Sequence, residues 1–122
     1  MDPPTQTTSL EIRDDSDDAV VVIARGGIAA DDAVSLWATV EEALERAAGR
    51  LVAVDLRGVT EFDVESADAL LHLAKASKRR RVHLCALMVP DAPLYRLVEE
   101  RKSMGALSVY PSLTTALADL ER

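Results

Sequence analysis

Three apolar runs limit what this chain can become. "AVVVIARG" (19–26), "RLVAVDL" (50–56) and "RVHLCALMV" (81–89) are strand-length, and their apolar stretches do not alternate with polar residues. Runs of this kind read as strands buried on both faces, which need covering layers above and below. The segments between them repeat at helical spacing instead. Over about 31–48, Ala33, Leu36, Trp37, Val40, Leu44, Ala47 and Ala48 form one face, while Glu41, Glu42, Glu45 and Arg46 lie mostly on the other. Asp31 or Asp32 is placed to cap that helix, and Gly49 to stop it. Over about 66–79, Leu70, Leu73, Ala74 and Ser77 make the inner stripe of a second helix.

The ends follow the same logic. "SLEIR" (9–13) alternates as a short edge strand does, and "DDSDD" (14–18) is an acidic turn. Gly26-Gly27 break the first buried run. Pro90 ends the third run, and Pro93 opens a third helix with Leu94, Leu97 and Val98 turned inward. "LSVYP" (107–111) is a last short strand, and Ser112 caps a fourth helix carrying Leu113, Ala116, Leu117 and Leu120 on one face. The order β-β-α-β-α-β-α-β-α predicts a single α/β domain over 9–122, with a mixed, mostly parallel sheet and four helices. Residues 1–8 read as a flexible N-terminal tail.

At 122 residues the chain suits one compact domain. Aromatic residues make up 3% of it, so its core is built from Val, Leu, Ile and Ala. A net charge of −7 argues against nucleic acid as a partner, because binding by counterion release needs a basic surface. The single cysteine, Cys85, excludes an intramolecular disulfide and a cysteine-rich zinc site, and reads as an inert core thiol. The polar start "MDPPTQTTS" is not an export signal, and no apolar run approaches the roughly 20 residues that span a bilayer. The expectation is a cytoplasmic protein without direct membrane insertion.

Catalytic patterns are missing. His72 and His83 have no ligand-spaced partners, and no phosphate loop, dinucleotide-binding glycine pattern, nucleophile elbow or helical zinc motif occurs. The expectation is no catalytic residue, no metal and no cofactor. Asp55 invites comparison with phosphate-receiver domains, but their acidic pair and terminal lysine are absent, so it reads as structural. "KASKRRR" (75–81) reads as a solvated helix end whose cations complement the macrodipole, or as a contact patch for an acidic partner or lipid surface.

Three stretches together resemble a STAS domain, the family of anti-sigma factor antagonists. They are "VVVIARGGIAADDAVSLWATVEEAL", "LVAVDLRGVTEFDVESADALLHLAK" and "VHLCALMVPDAPLYRLVEERKSMGALSVYPSLTTAL". In that family the turn before the second helix usually reads Asp-Ser-Ser-Gly, and the first hydroxyl is phosphorylated by a partner kinase that is itself an anti-sigma factor. The matching residues here are Asp63, Val64, Glu65 and Ser66. Valine has no hydroxyl, so Val64 holds the phosphoacceptor position and cannot be phosphorylated. Ser66 is the nearest substitute. Asp63 or Ser66 can cap the helix, and Glu65 places a charge where the dipole favours it or mimics a phosphate.

The resemblance implies a non-catalytic regulator of transcription that binds an anti-sigma factor or a related ATPase-fold serine kinase. Its contact surface would comprise Gly26, Gly27, Asp31 and Asp32 from one turn, and Asp63, Val64, Glu65, Ser66 and Asp68 from the other. An alternative role is accessory subunit of a lipid-transporting ABC system, a branch that "ALLHLAK" resembles. A homodimer is a further possibility.

Overall fold

A computed structural model describes residues 8–14, 16–89, 95–96 and 107–120. Its sheet has five strands in sequential order: β1 (Ser9–Arg13), β2 (Ala19–Ile28), β3 (Leu51–Phe62), β4 (Leu84–Leu87) and β5 (Ser108–Tyr110). β1 runs antiparallel to β2, and every other neighbouring pair is parallel. The helices bounded among the described residues are α1 (Ala33–Arg46), α2 (Val64–Arg79) and α3 (Leu113–Leu120), with a 3-10 turn at Ala30–Asp32 leading into α1. Most of the third helix expected from Pro93 lies outside the described residues; Tyr95 and Arg96 within it are helical.

Strand alternation divides the core into two layers. Val20, Val22, Ala24, Val52, Val54, Leu56, Leu84 and Ala86 point to one face, where α1 and α2 cover them with Leu36, Val40, Leu44, Leu70 and Leu73. Ala19, Leu51, Ala53, Cys85 and Leu87 point to the other, where α3 contributes Ala116. Both faces of β2, β3 and β4 are therefore apolar, which is why their sequences run rather than alternate. Ala43, Ser66, Ala67 and Leu71 are buried as well, although they fall outside the stripes drawn from the sequence. Of these, Ala43, Ser66 and Ala67 are small, which lets the helices lie close to the sheet and to each other.

Two strands exceed their expected length. β2 continues through Gly26-Gly27 to Ile28, and β3 continues through "RGVTEF" to Phe62. Register shifts between Ile23 and Arg25 and between Gly26 and Gly27 keep the two strands paired to their ends. Gly26 takes φ 84°, a backbone state that side chains resist, so the glycine bends the strand without ending it. By contrast β4 is shorter than its apolar run, at Leu84–Leu87.

Helix ends are satisfied in distinct ways. Arg50 donates from Nε to Ala47 O at 2.9 Å and from Nη2 to Arg46 O at 2.6 Å, pairing the orphan carbonyls of α1. Its Nη1 also reaches Asp14 Oδ1 and Ser16 O, tying the α1 end to the β1–β2 turn. At the end of α2, Val82 N–H donates to Ser77 O at 3.0 Å and Arg81 N–H to Lys78 O at 3.1 Å. That pairing is a Schellman motif, which favours glycine at its left-handed position. Arg81 occupies it, at φ 58°. Arg81→Gly should therefore stabilise the domain by about 1 kcal/mol, read as a higher urea midpoint at unchanged m-value.

Candidate functional site

Parallel pairing of β2 and β3 carries two loops to one edge of the sheet. α1 follows β2 and α2 follows β3, so both helices begin above the carboxyl ends of adjacent strands. In open α/β sheets this is the edge that contacts ligands and partners. The two loops are bonded to each other. Asp63 N–H donates to Ile28 O at 3.0 Å, and the Ser66 hydroxyl donates to Ala29 O at 3.3 Å. The Gly26–Asp32 segment and the Asp63–Asp68 segment are thereby one continuous surface.

Asp63 is the cap of α2. It has extended backbone angles, its carboxylate accepts from Glu65 N–H at 2.7 Å, and its carbonyl accepts the first helical bond from Ala67. Ser66, the alternative cap suggested by the sequence, does not cap. It is fully buried, and its hydroxyl faces the neighbouring loop instead of the helix N–H groups. Asp32 stands at the first position before α1 but makes no capping bond there either. Its carboxylate accepts from Ala29 N–H at 3.0 Å and from the Thr8 hydroxyl at 2.9 Å, folding the loop back on itself. The Thr8 hydroxyl also donates to Gly27 O. Thr8, expected in the loose tail, is thus an anchored part of this edge.

Around these bonds the surface is acidic with apolar points. Asp31, Glu61 and Glu65 are exposed. Val64, the first residue of α2, is 43% exposed, and Val34, near the start of α1, is 78% exposed. Val34 lies off the apolar stripe of its helix, and that mismatch was its only signal in the sequence. The carboxylates oppose the partial positive charge of two helix N-termini, a favourable arrangement for each helix. Phosphate is not what this edge is built to hold, because its own carboxylates already occupy that role.

The remaining candidates do not join it. His72 and His83 are exposed, and the described residues contain no cluster of His, Cys, Asp or Glu that could hold a metal ion. Cys85 is buried among the core residues of the α3 face, and burial pushes its thiol up to about 12. Asp55 lies in mid-strand on β3. Burial alone would raise its carboxyl, but the Arg57 guanidinium and N–H, with the charges of Arg57 and Arg25, outweigh burial and hold it below the usual carboxylate range. The Arg57 Nη2 to Asp55 Oδ2 distance is 2.9 Å. Asp55 is therefore a charged structural residue paired within its own strand.

The fold is a small α/β domain with five strands in sequential order and two loops bonded at one edge. The family model described as "Mlab, STAS domain" matches residues 12–100, and the chain belongs to the STAS domain family. Among solved structures it is similar to an anti-sigma factor antagonist from Mycobacterium paratuberculosis, at 16% identity and TM-score 0.68, covering 100% of both chains. It is also similar to the anti-sigma factor antagonist SpoIIAA in its unphosphorylated form, at 12% identity and TM-score 0.67, covering 93% of this chain and 98% of that one. At these identities the two structures speak for the fold. No curated protein matches the chain.

Two outcomes test the local account. Asp63→Ala should destabilise the domain by ~1 kcal/mol through loss of the cap, with Glu65→Ala costing less, both read by urea unfolding. Asp55 has a lower pKa folded than unfolded, so its contribution is complete above the ordinary carboxylate value and lost as pH falls through the folded value. Asp55→Asn should flatten the pH dependence of stability in that acidic window, measured by thermal melts from pH 6 down to about pH 2.

Proposed function

We infer that this protein is a non-catalytic regulatory domain that binds an anti-sigma factor or a related ATPase-fold serine kinase through the joined Gly26–Asp32 and Asp63–Asp68 edge. The observation that carries this reading is the bonded pair of loops, with Val34 and Val64 exposed among carboxylates. Exposed apolar points with a polar surround are what a protein interface needs at its centre and rim. The similarity to two anti-sigma factor antagonists supports the same partner class.

Regulation by phosphate at this turn is not part of the reading. Val64 has no hydroxyl, and the Ser66 hydroxyl is buried and bonded to Ala29 O. Modification of Ser66 would require the start of α2 to open. The surface is instead read unmodified, with Glu65 and Asp68 as contacts in the first turns of α2.

A second reading, accessory subunit of a lipid-transporting ABC system, draws on the Mlab description of the matching family model. Affinity capture from native lysate separates the two, returning either a soluble kinase-fold protein or an integral-membrane complex. With the captured partner, Glu65→Ala should weaken binding by about tenfold or more while leaving the melting temperature nearly unchanged. Unchanged affinity in both Glu65→Ala and Asp68→Ala would move the contact surface elsewhere. Stoichiometric phosphate on Ser66 after incubation with the partner and ATP would overturn the unmodified-surface reading.

A further inference from the structure

The outer face of α2 carries a charge pattern that is complementary to its own reverse. Glu65, His72, Lys75 and Arg79 are all exposed along it, and Ala69 and Ala76 are half-buried beside them. His72 is the centre. Glu65 stands seven positions before it and Arg79 seven positions after it. Asp68 and Ala76 lie four positions either side, and Ala69 and Lys75 three.

We propose that two copies of this chain pair through antiparallel α2 helices, with His72 of each copy on the two-fold axis. In that register Glu65 of each copy faces Arg79 of the other, and Asp68 falls beside Lys75 of the other. Spacings of three, four and seven keep these residues on one helical face. Ala69 and Ala76 flank the axis and present only methyl groups, so the helices can approach closely.

The same pattern disfavours neighbouring registers. One turn towards the N-terminus, the axis falls on Asp68 and sets two carboxylates against each other. One turn the other way, it falls on Ala76 and gathers Lys75, Arg79 and Arg80 of both copies. Like charges placed opposite one another penalise both alternatives. The His72 register instead sets Glu65 of each copy against Arg79 of the other.

The surface cations support this assignment. Ion pairs among the described residues engage Arg13, Arg46, Arg50 and Arg57. None of these pairs uses Lys75 or Arg79, although the chain carries a net charge of −7. The complement to the basic half of α2 is the acidic half of the same helix, roughly 24 Å of helix in all, which a second copy supplies. One helix face per copy is at the small end of specific interfaces, so the dimer is weak and concentration-dependent. The dimer uses Glu65 and Asp68, which the anti-sigma factor reading also uses, so a second copy and that partner compete for this face, and the dimer is tested on the purified chain alone.

Sedimentation velocity of the purified chain, over a concentration series up to about 1 mM, should show reversible dimerisation weakened by salt. Glu65→Arg and Arg79→Glu should each weaken the dimer by at least about tenfold, since each sets two like-charge pairs across the axis. The double variant Glu65→Arg/Arg79→Glu should restore dimerisation. His72→Cys should form a disulfide-linked dimer on mild oxidation. The parent should not, because Cys85 is buried. A strictly monomeric chain overturns the proposal, as does a dimer insensitive to the single reversals or a swap that fails to restore. Binding of a monomeric chain to phosphatidylserine vesicles, lost in Arg79→Glu, would assign the face to an anionic surface instead.

Discussion

The parallel ladder between β2 and β3 is the contact on which the rest of this domain depends. It runs from Ala19 opposite Leu51 to Ile28 opposite Phe62, further than the apolar parts of either strand. Two irregularities, at Ile23/Arg25 and Gly26/Gly27, bend and twist the strands locally while the pairing continues past them. Because the ladder persists, the loops that leave its two strands emerge side by side. The backbone bond from Asp63 to Ile28 O and the hydroxyl bond from Ser66 to Ala29 O are then short extensions of the sheet. A ladder ending at Gly26 would leave the two loops to find each other without that support.

Electrostatics organises the surface along α2. Carboxylates gather at the sheet's carboxyl edge, where two helix N-termini favour them, and cations gather beyond Lys75, where the helix C-terminus favours them. Each half is stabilised locally, and the result is a helix with a negative and a positive end. The same local preferences that keep the helix intact thereby leave opposite charges at its two ends.

Val64, the first residue of α2 at this edge, is exposed and apolar. The one hydroxyl that follows it, on Ser66, is used to bond the neighbouring loop. Cys85 is shut into the core by the same sheet that presents the loops, and its raised pKa keeps it as the neutral thiol. The edge presents carboxylates and two exposed valines.

The sequence by itself determined the layer order and most of the core. Uninterrupted apolar runs demand burial on both faces, and helical spacing of Leu36, Val40, Leu44, Leu70 and Leu73 marks what covers one of them. It also determined that no phosphate could be placed at residue 64. Strand ends, capping and loop contacts were decided only by tertiary structure. Propensity reads Gly26-Gly27 and "RGVTEF" as breaks, yet pairing with a neighbour outweighs propensity and extends both strands. Asp32 and Ser66 look like caps because either could accept a helix N–H. Each makes a contact available only once distant segments lie together: Asp32 accepts from Thr8, 24 residues away, and Ser66 donates to Ala29, 37 residues away. Local rules specify what a side chain is able to bond, and the packed sheet selects which partner arrives.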